Sequence, residues 1–173
     1  MQFRIDEAVQ VLERTPATLD ALLRDQSDAW LQARIEPDSF RPIDVVGHLI
    51  YGEMTDWIPR ARIILDHGLP RPFDPFDRRG FVSLIEGKSS SELLRQFAEL
   101  RRASLNSLQS MNLDEGKLDL PGMHPGLGEV TMRQLLAAWV VHDLNHIAQI
   151  TRVLSHQYRE AVGPWREYLS ILK

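Results

Sequence analysis

Leu135-Leu136-Ala137-Ala138-Trp139-Val140-Val141-His142-Asp143-Leu144-Asn145-His146-Ile147-Ala148-Gln149 is the stretch on which the fold turns. Steps of three and four through Leu135, Trp139, His142, His146, Gln149 and Val153 trace one face of a helix. Leu135, Trp139 and Val153 belong inside a core, so the two histidines between them sit where a bundle expects leucine. His142 and His146 lie about 40° apart around the helix and about 6 Å apart along it, which points both imidazoles the same way. This spacing can place two ring nitrogens on one metal ion. The same spacing also occurs on solvated helix faces, but here the flanking residues are apolar. Two buried imidazoles without partners would cost on the order of 1 to 3 kcal/mol each, a cost that a metal ion removes. His142 is followed by Asp143 rather than by the glutamate that zinc proteases use as general base, so that chemistry is not indicated.

This helix opens at Thr131 and Gln134, which have capping-box spacing, and runs to about His156. Upstream, the pattern predicts a helix from about Phe3 to Arg34, which the Thr15-Pro16 pair either kinks or splits. A second runs from Pro42 to about Leu65, with Pro59 bending its last turns. A third runs from a Ser89/Glu92 capping box to near Asn112. Two irregular stretches, Asp66 to Lys88 and Leu113 to Val130, are rich in proline and glycine. Gly163-Pro164 introduces a short final helix, Trp165 to Leu172. Four substantial helices and no convincing alternating strand predict an all-α fold, a four-helix bundle with long crossover loops and a short C-terminal helix, residues 1–173 forming a single domain.

Composition narrows the function. The chain has 173 residues, 43% hydrophobic and 25% charged, and no stretch is apolar enough to span a membrane. With 20 Lys+Arg against 24 Asp+Glu the net charge is −4, so no basic footprint for nucleic acid is present. Cysteine is absent, which excludes disulfides, thiolate metal sites and a cysteine nucleophile. The first residues, Met-Gln-Phe-Arg-Ile-Asp-Glu, lack an apolar signal core, and a cytoplasmic location is expected.

A third histidine, His48, is embedded in Val46-Gly47-His48-Leu49-Ile50-Tyr51-Gly52 on the second helix. Alone it reads as a satisfied core histidine; beside the other pair it reads as a third ligand. Gly52, one turn on, is expected to leave room for water or substrate. His48, His142 and His146 with an open position suit zinc, nickel or another late divalent ion in a catalytic arrangement. His67 and His156 read as helix-end cations, and His124, on the loop that leads to the last helix, reads first as a loop residue and second as one that reaches the site rim. Asp143 reads either as a carboxylate orienting an imidazole or as a helix-surface group. Gln149 reads as a hydrogen-bond partner of a bound ligand or a core-edge amide, and Tyr51 as a donor to a metal-bound anion or an ordinary core aromatic. Asp77-Arg78-Arg79 reads as a substrate clamp or as solvated loop charge. Glu53 is about 140° from His48 and poorly placed as a fourth ligand.

Ile43-Asp44-Val45-Val46-Gly47-His48-Leu49 after a proline, Gly128-Glu129-Val130-Thr131, and the Trp139 to Gln149 segment together resemble the DinB-like (YfiT-like) superfamily over nearly the whole chain. The resemblance implies that His48, His142 and His146 bind one divalent metal, zinc or nickel, at one end of a four-helix bundle. It also implies a metal-dependent S-transferase that joins a low-molecular-weight thiol, such as bacillithiol, mycothiol or glutathione, to a small electrophile, and a homodimer. In that case the sulfur nucleophile comes with the cosubstrate, consistent with a chain lacking cysteine. Two alternatives stand beside it: a non-catalytic metal-binding stress-response protein, and a metal-dependent hydrolase, for which no general base is evident in the sequence.

Overall fold

The computed structural model describes residues 2–173. The order is α1 (Ile5–Leu23), α2 (Asp28–Leu31), α3 (Pro42–Thr55), α4 (Trp57–Asp66), α5 (Val82–Ile85), α6 (Ser90–Ser110), α7 (Glu115–Leu118), β1 (Pro121–His124), β2 (Gly128–Thr131) and α8 (Met132–His156), then two 3₁₀ turns at Gly163–Tyr168 and Ser170–Leu172. Helix α6 packs on α1 and α3, and α8 packs on α1, α3 and α4, closing a four-helix bundle whose second member is the α3–α4 pair. Both expected capping boxes form: Ser89 Oγ accepts from Glu92 N–H at 3.3 Å and Thr131 Oγ1 from Gln134 N–H at 3.2 Å.

The prolines explain where the first two bundle members depart from straight rods. Helix α1 continues through Pro16 but ends at Leu23, so the expected helix to Arg34 is two elements, separated by a turn in which Asp25 adopts φ 58°. Pro16 cannot donate to the carbonyl four residues back; that carbonyl, Leu12 O, instead accepts from the Arg101 guanidinium at 2.8 Å. The second member breaks at Asp56 rather than at Pro59, because the proline ring crowds the carbonyl of Thr55 and offers it no N–H. The final segment is 3₁₀ rather than α-helix.

Residues 121–131, expected to be irregular, contain a short antiparallel hairpin that pairs Pro121 with Thr131 and His124 with Gly128. Its β1 strand also receives the long 67–81 connection, where Phe73 N–H donates to Met123 O at 2.9 Å. That connection then runs along α3, where a side chain at Gly47 would collide with Ile85 and Phe81.

Buried apolar residues fall into two clusters, one around Trp57, Leu136 and Trp139, the other around Leu23, Leu49, Phe97 and Ile150. Between them every bundle member contributes a buried polar residue: Thr15 from α1, Glu53 from α3, Arg101 and Ser104 from α6, Asp143 from α8. This polar layer crosses the bundle at the height of the three histidines.

Candidate metal centre

Helices α3 and α8 bring His48, His142 and His146 together. His142 Nε2 lies 3.1 Å from His48 Nε2 and 3.1 Å from His146 Nε2, and one ring nitrogen from each residue falls within 4.8 Å of the others. His48 and His146 are buried and His142 is partly buried. Burial first, then the neighbouring imidazoles, pushes His48 down to about 4 and His142 down to about 3. Burial likewise lowers His146, against the pull of its Gln149 hydrogen bond. All three are therefore neutral at pH 7.

Neutral rings in this arrangement cannot satisfy one another. With His146 Nδ1–H donating to Gln149 Oε1 at 2.8 Å, its Nε2 presents a lone pair. A single proton can bridge one of the two Nε2 contacts of His142, leaving the other without a hydrogen. A cation at the centre accepts all three lone pairs. Two nitrogens on one tetrahedral zinc at ~2.0–2.1 Å would be about 3.3 Å apart, close to the separations seen here. The donor set thus fits a divalent ion.

Packing holds the rings. His48 packs against Phe40, Phe76 and Phe81, with ring centroids 5.8, 5.3 and 6.3 Å away. His142 lies 5.1 Å from Trp57, which stacks on Trp139 at 5.6 Å. Nδ1 of His48 and of His142 has no hydrogen-bond partner among the described residues, so these rings are oriented by aromatic packing, whereas His146 is oriented by its Gln149 hydrogen bond. Gly52, expected to leave room for a ligand, is buried beside the Trp57 indole and does not line the cavity that the histidines share. Tyr51 packs on Phe76 at 5.2 Å, an aromatic role behind the site.

Neither expectation for Asp143 holds. The residue is fully buried and its carboxylate accepts from Arg101, Oδ2 from Nη1 at 2.6 Å and Oδ1 from Nη2 at 3.1 Å. One position beyond His142 is about 100° around the helix, which turns Asp143 into the bundle while His142 faces the site. Glu53 points the same way: its Oε1 accepts from Arg101 Nε at 3.0 Å, Arg101 Nη2 at 2.8 Å and Trp139 Nε1 at 3.3 Å. With Leu12 O, these contacts use all five N–H groups of Arg101. Burial raises the Glu53 carboxyl against the pull of Arg101.

The three histidines open onto a cavity of about 930 Å³ whose wall also includes Asp56, Arg60, Phe76, Arg78, His124, Asn145, Gln149 and Arg152. His124 reaches the rim: its Nδ1 accepts from Gly126 and Leu127 N–H at 3.0 and 3.1 Å, fixing the hairpin turn. Burial, followed by the charge of Arg60, lowers it. Of the Asp77-Arg78-Arg79 triplet, Arg78 lines the cavity. His67 follows α4 and its backbone N–H bonds Ile63 O at 2.9 Å, while His156 is the last residue of α8. The sequence reading missed three residues. Arg101 sits on the inward stripe Leu94, Phe97, Arg101, Ser104, Leu108, a position that could have flagged it. Asp56 and Arg60 have i, i+4 spacing at the Pro59 break, which swings Asp56 into the cavity. Burial, opposed by Arg60, raises the Asp56 carboxyl to about 6.

The sequence model of the DinB superfamily matches residues 11–150. The chain belongs to the DinB superfamily. Among DinB relatives, the "Putative metal-dependent hydrolase YfiT" of Bacillus subtilis (strain 168) is 27% identical over 154 residues, covering 86% of this chain and 83% of that protein. A solved structure of Bacillus subtilis YfiT, described as "a probable metal-dependent hydrolase with an unusual four-helix bundle topology", superposes with a TM-score of 0.73 at 25% identity, over 88% of this chain and 86% of the other. The DinB assignment and this likeness agree with the expected family and bundle.

Proposed function

We propose that this chain is a metal-dependent enzyme in which His48, His142 and His146 hold one divalent ion, zinc or nickel, and that it transfers a low-molecular-weight thiol to a small electrophile. The observation that supports this most is the convergence of three neutral Nε2 atoms, 3.1 Å apart along two of their sides, at the wall of a cavity large enough for a small molecule. A divalent ion held there supplies Lewis-acid chemistry, lowering the pKa of a thiol or water it binds.

The protein's own residues supply the rest. Depressed imidazole pKa values keep the lone pairs free at neutral pH. Phe40, Phe76 and Trp57 pack against the imidazoles and fix their orientation. Asp56, with its carboxyl near 6, is able to take a proton from an incoming nucleophile close to neutrality. The chain contains no cysteine, so a sulfur nucleophile has to arrive as cosubstrate.

Hydrolysis is the second reading. Asp56 supplies the general base that the sequence did not reveal, and the description of YfiT as a metal-dependent hydrolase favours it. The same proposal includes a single domain working as a cytoplasmic homodimer, which light scattering of the purified chain tests at the level of mass.

The deciding experiment is a thiol panel with a chromogenic electrophile, run on zinc- and nickel-loaded protein without an affinity tag. Thiol-dependent turnover that His142→Ala lowers by at least about 100-fold supports S-transfer. Ester cleavage without added thiol, lost in Asp56→Asn, supports hydrolysis. Metal-loaded protein inert in both assays overturns both and leaves a non-catalytic metal-binding protein.

A further inference from the structure

The wall of the histidine cavity carries an unfinished polar site. Arg60 is nine-tenths buried, with a side chain 10% exposed, yet its Nε has no hydrogen-bond partner among the described residues. Its guanidinium lies 5.2 Å over the Phe73 ring, a contact that holds the plane but satisfies no N–H. Asp56 Oδ1 forms an ion pair with Arg60 Nε at 2.6 Å, but off the N–H direction, so that neither atom has a hydrogen bond among the described residues. A buried guanidinium whose Nε–H is charge-paired but not hydrogen-bonded keeps donor capacity that a ligand oxygen can complete.

Arg78 and Arg152 line the same cavity, both exposed, and neither has a carboxylate within ion-pair distance among the described residues. Three arginines against Asp38 and Asp56 leave the cavity wall net positive in a chain whose overall charge is −4. Focused positive charge in a concave wall raises the local concentration of anions. The planar fork of arginine matches two oxygens of one carboxylate or phosphate group.

We propose that this cavity takes a small molecule through an oxyanion group, carboxylate or phosphate, received by Arg60, with Arg78 and Arg152 drawing it in at the mouth. The inference names the substrate class of the enzyme proposed above and rests on reading this cavity as its substrate site. The oxyanion pairs with Arg60, and the histidines of the same cavity wall face the reacting end of the molecule.

Calorimetric titration with succinate and with inorganic phosphate tests this, on zinc-loaded and on chelator-treated protein, with succinamide as the uncharged control. The expected result is saturable binding of succinate or phosphate to both forms, absent for succinamide, and weakened at least about tenfold by Arg60→Gln. If Arg60→Gln fails to fold, the Arg78→Gln/Arg152→Gln double variant, confined to exposed positions, carries the test with an expected loss of about threefold or more that shrinks at high salt. Whichever of the two anions binds identifies the oxyanion. Binding only to the zinc-loaded form and unchanged by these variants puts the anion on the metal and overturns the proposal. Equal binding of succinamide, or no binding to either form, overturns it as well. Protein that takes no zinc yet binds succinate through Arg60 removes the metal-dependent function and leaves the oxyanion site standing.

Discussion

An imidazole lone pair can take a proton or a metal ion, and the depression of His48 to about 4 and His142 to about 3 settles that competition well below neutrality. Because His146 is lowered as well, zinc affinity, measured by competition with a chromophoric chelator, should fall less between pH 8 and pH 6 than three ordinary histidines of pKa about 6.5 require; a fall as steep as theirs would contradict this. The same shifts govern stability without metal. A histidine with a lowered folded pKa binds fewer protons folded than unfolded between its two pKa values, so stability rises with pH across that window. Asp56, raised to about 6, acts in the opposite sense between its ordinary value of 3.8 and 6, as does Glu53 above its ordinary 4.5, and these two carboxyls stand against the lowered His48, His142, His146 and His124. Urea unfolding of the chelator-treated protein should show stability falling from about pH 6.5 toward pH 4, and a His48→Gln/His142→Gln variant should flatten that slope. Gln149 tests the hydrogen-bond support of the site: Gln149→Leu removes the acceptor of His146 Nδ1–H and should weaken zinc binding by roughly 10- to 100-fold, read by the same chelator competition.

At the scale of the helix, one buried guanidinium ties three bundle members to a fourth. Arg101, on α6 and 1% exposed, bonds Glu53 on α3, Asp143 on α8 and the Leu12 carbonyl that Pro16 frees on α1. Arg101→Met strands two buried carboxylates and that carbonyl, and should cost about 3 to 5 kcal/mol in chemical denaturation; a cost under about 1 kcal/mol would show the network to be dispensable. These elements also mark what could be read in advance. Capping boxes at Ser89 and Thr131 and the start of α3 at Pro42 are local chemistry, and they were legible. The polar layer was not, because the mutual pairing of Arg101, Glu53 and Asp143 arises only when three helices bring them together, although Arg101's place on an inward stripe hinted at its burial. The break at Asp56 fell three residues before its proline, since the clash is with the preceding turn. The hairpin of residues 121–131 was hidden by strands of four residues containing Pro121, Gly122 and Gly128, which carry turn composition rather than alternation.

For the whole molecule, the three histidines stood on inward helix faces in the sequence, but their mutual approach and the cavity they share depend on how α3, α8 and the loop carrying Phe76 pack. Two apolar half-cores flank a polar layer, and the site opens at the height of that layer. Among the described residues no helix is long and apolar enough to cross a membrane. A ligand that binds only the folded chain stabilises it by mass action, by about 4 kcal/mol at a thousandfold excess over its dissociation constant. For a chain of this length that raises the melting temperature by roughly 10 °C, and calorimetry with and without zinc should show it. The central claim is tested most directly by elemental analysis of untagged protein dialysed against zinc and then freed of loose metal. One zinc per chain is predicted for the wild type and close to none for His48→Ala, His142→Ala or His146→Ala; wild-type protein without zinc, or variants that retain it in full, would contradict the three-histidine centre.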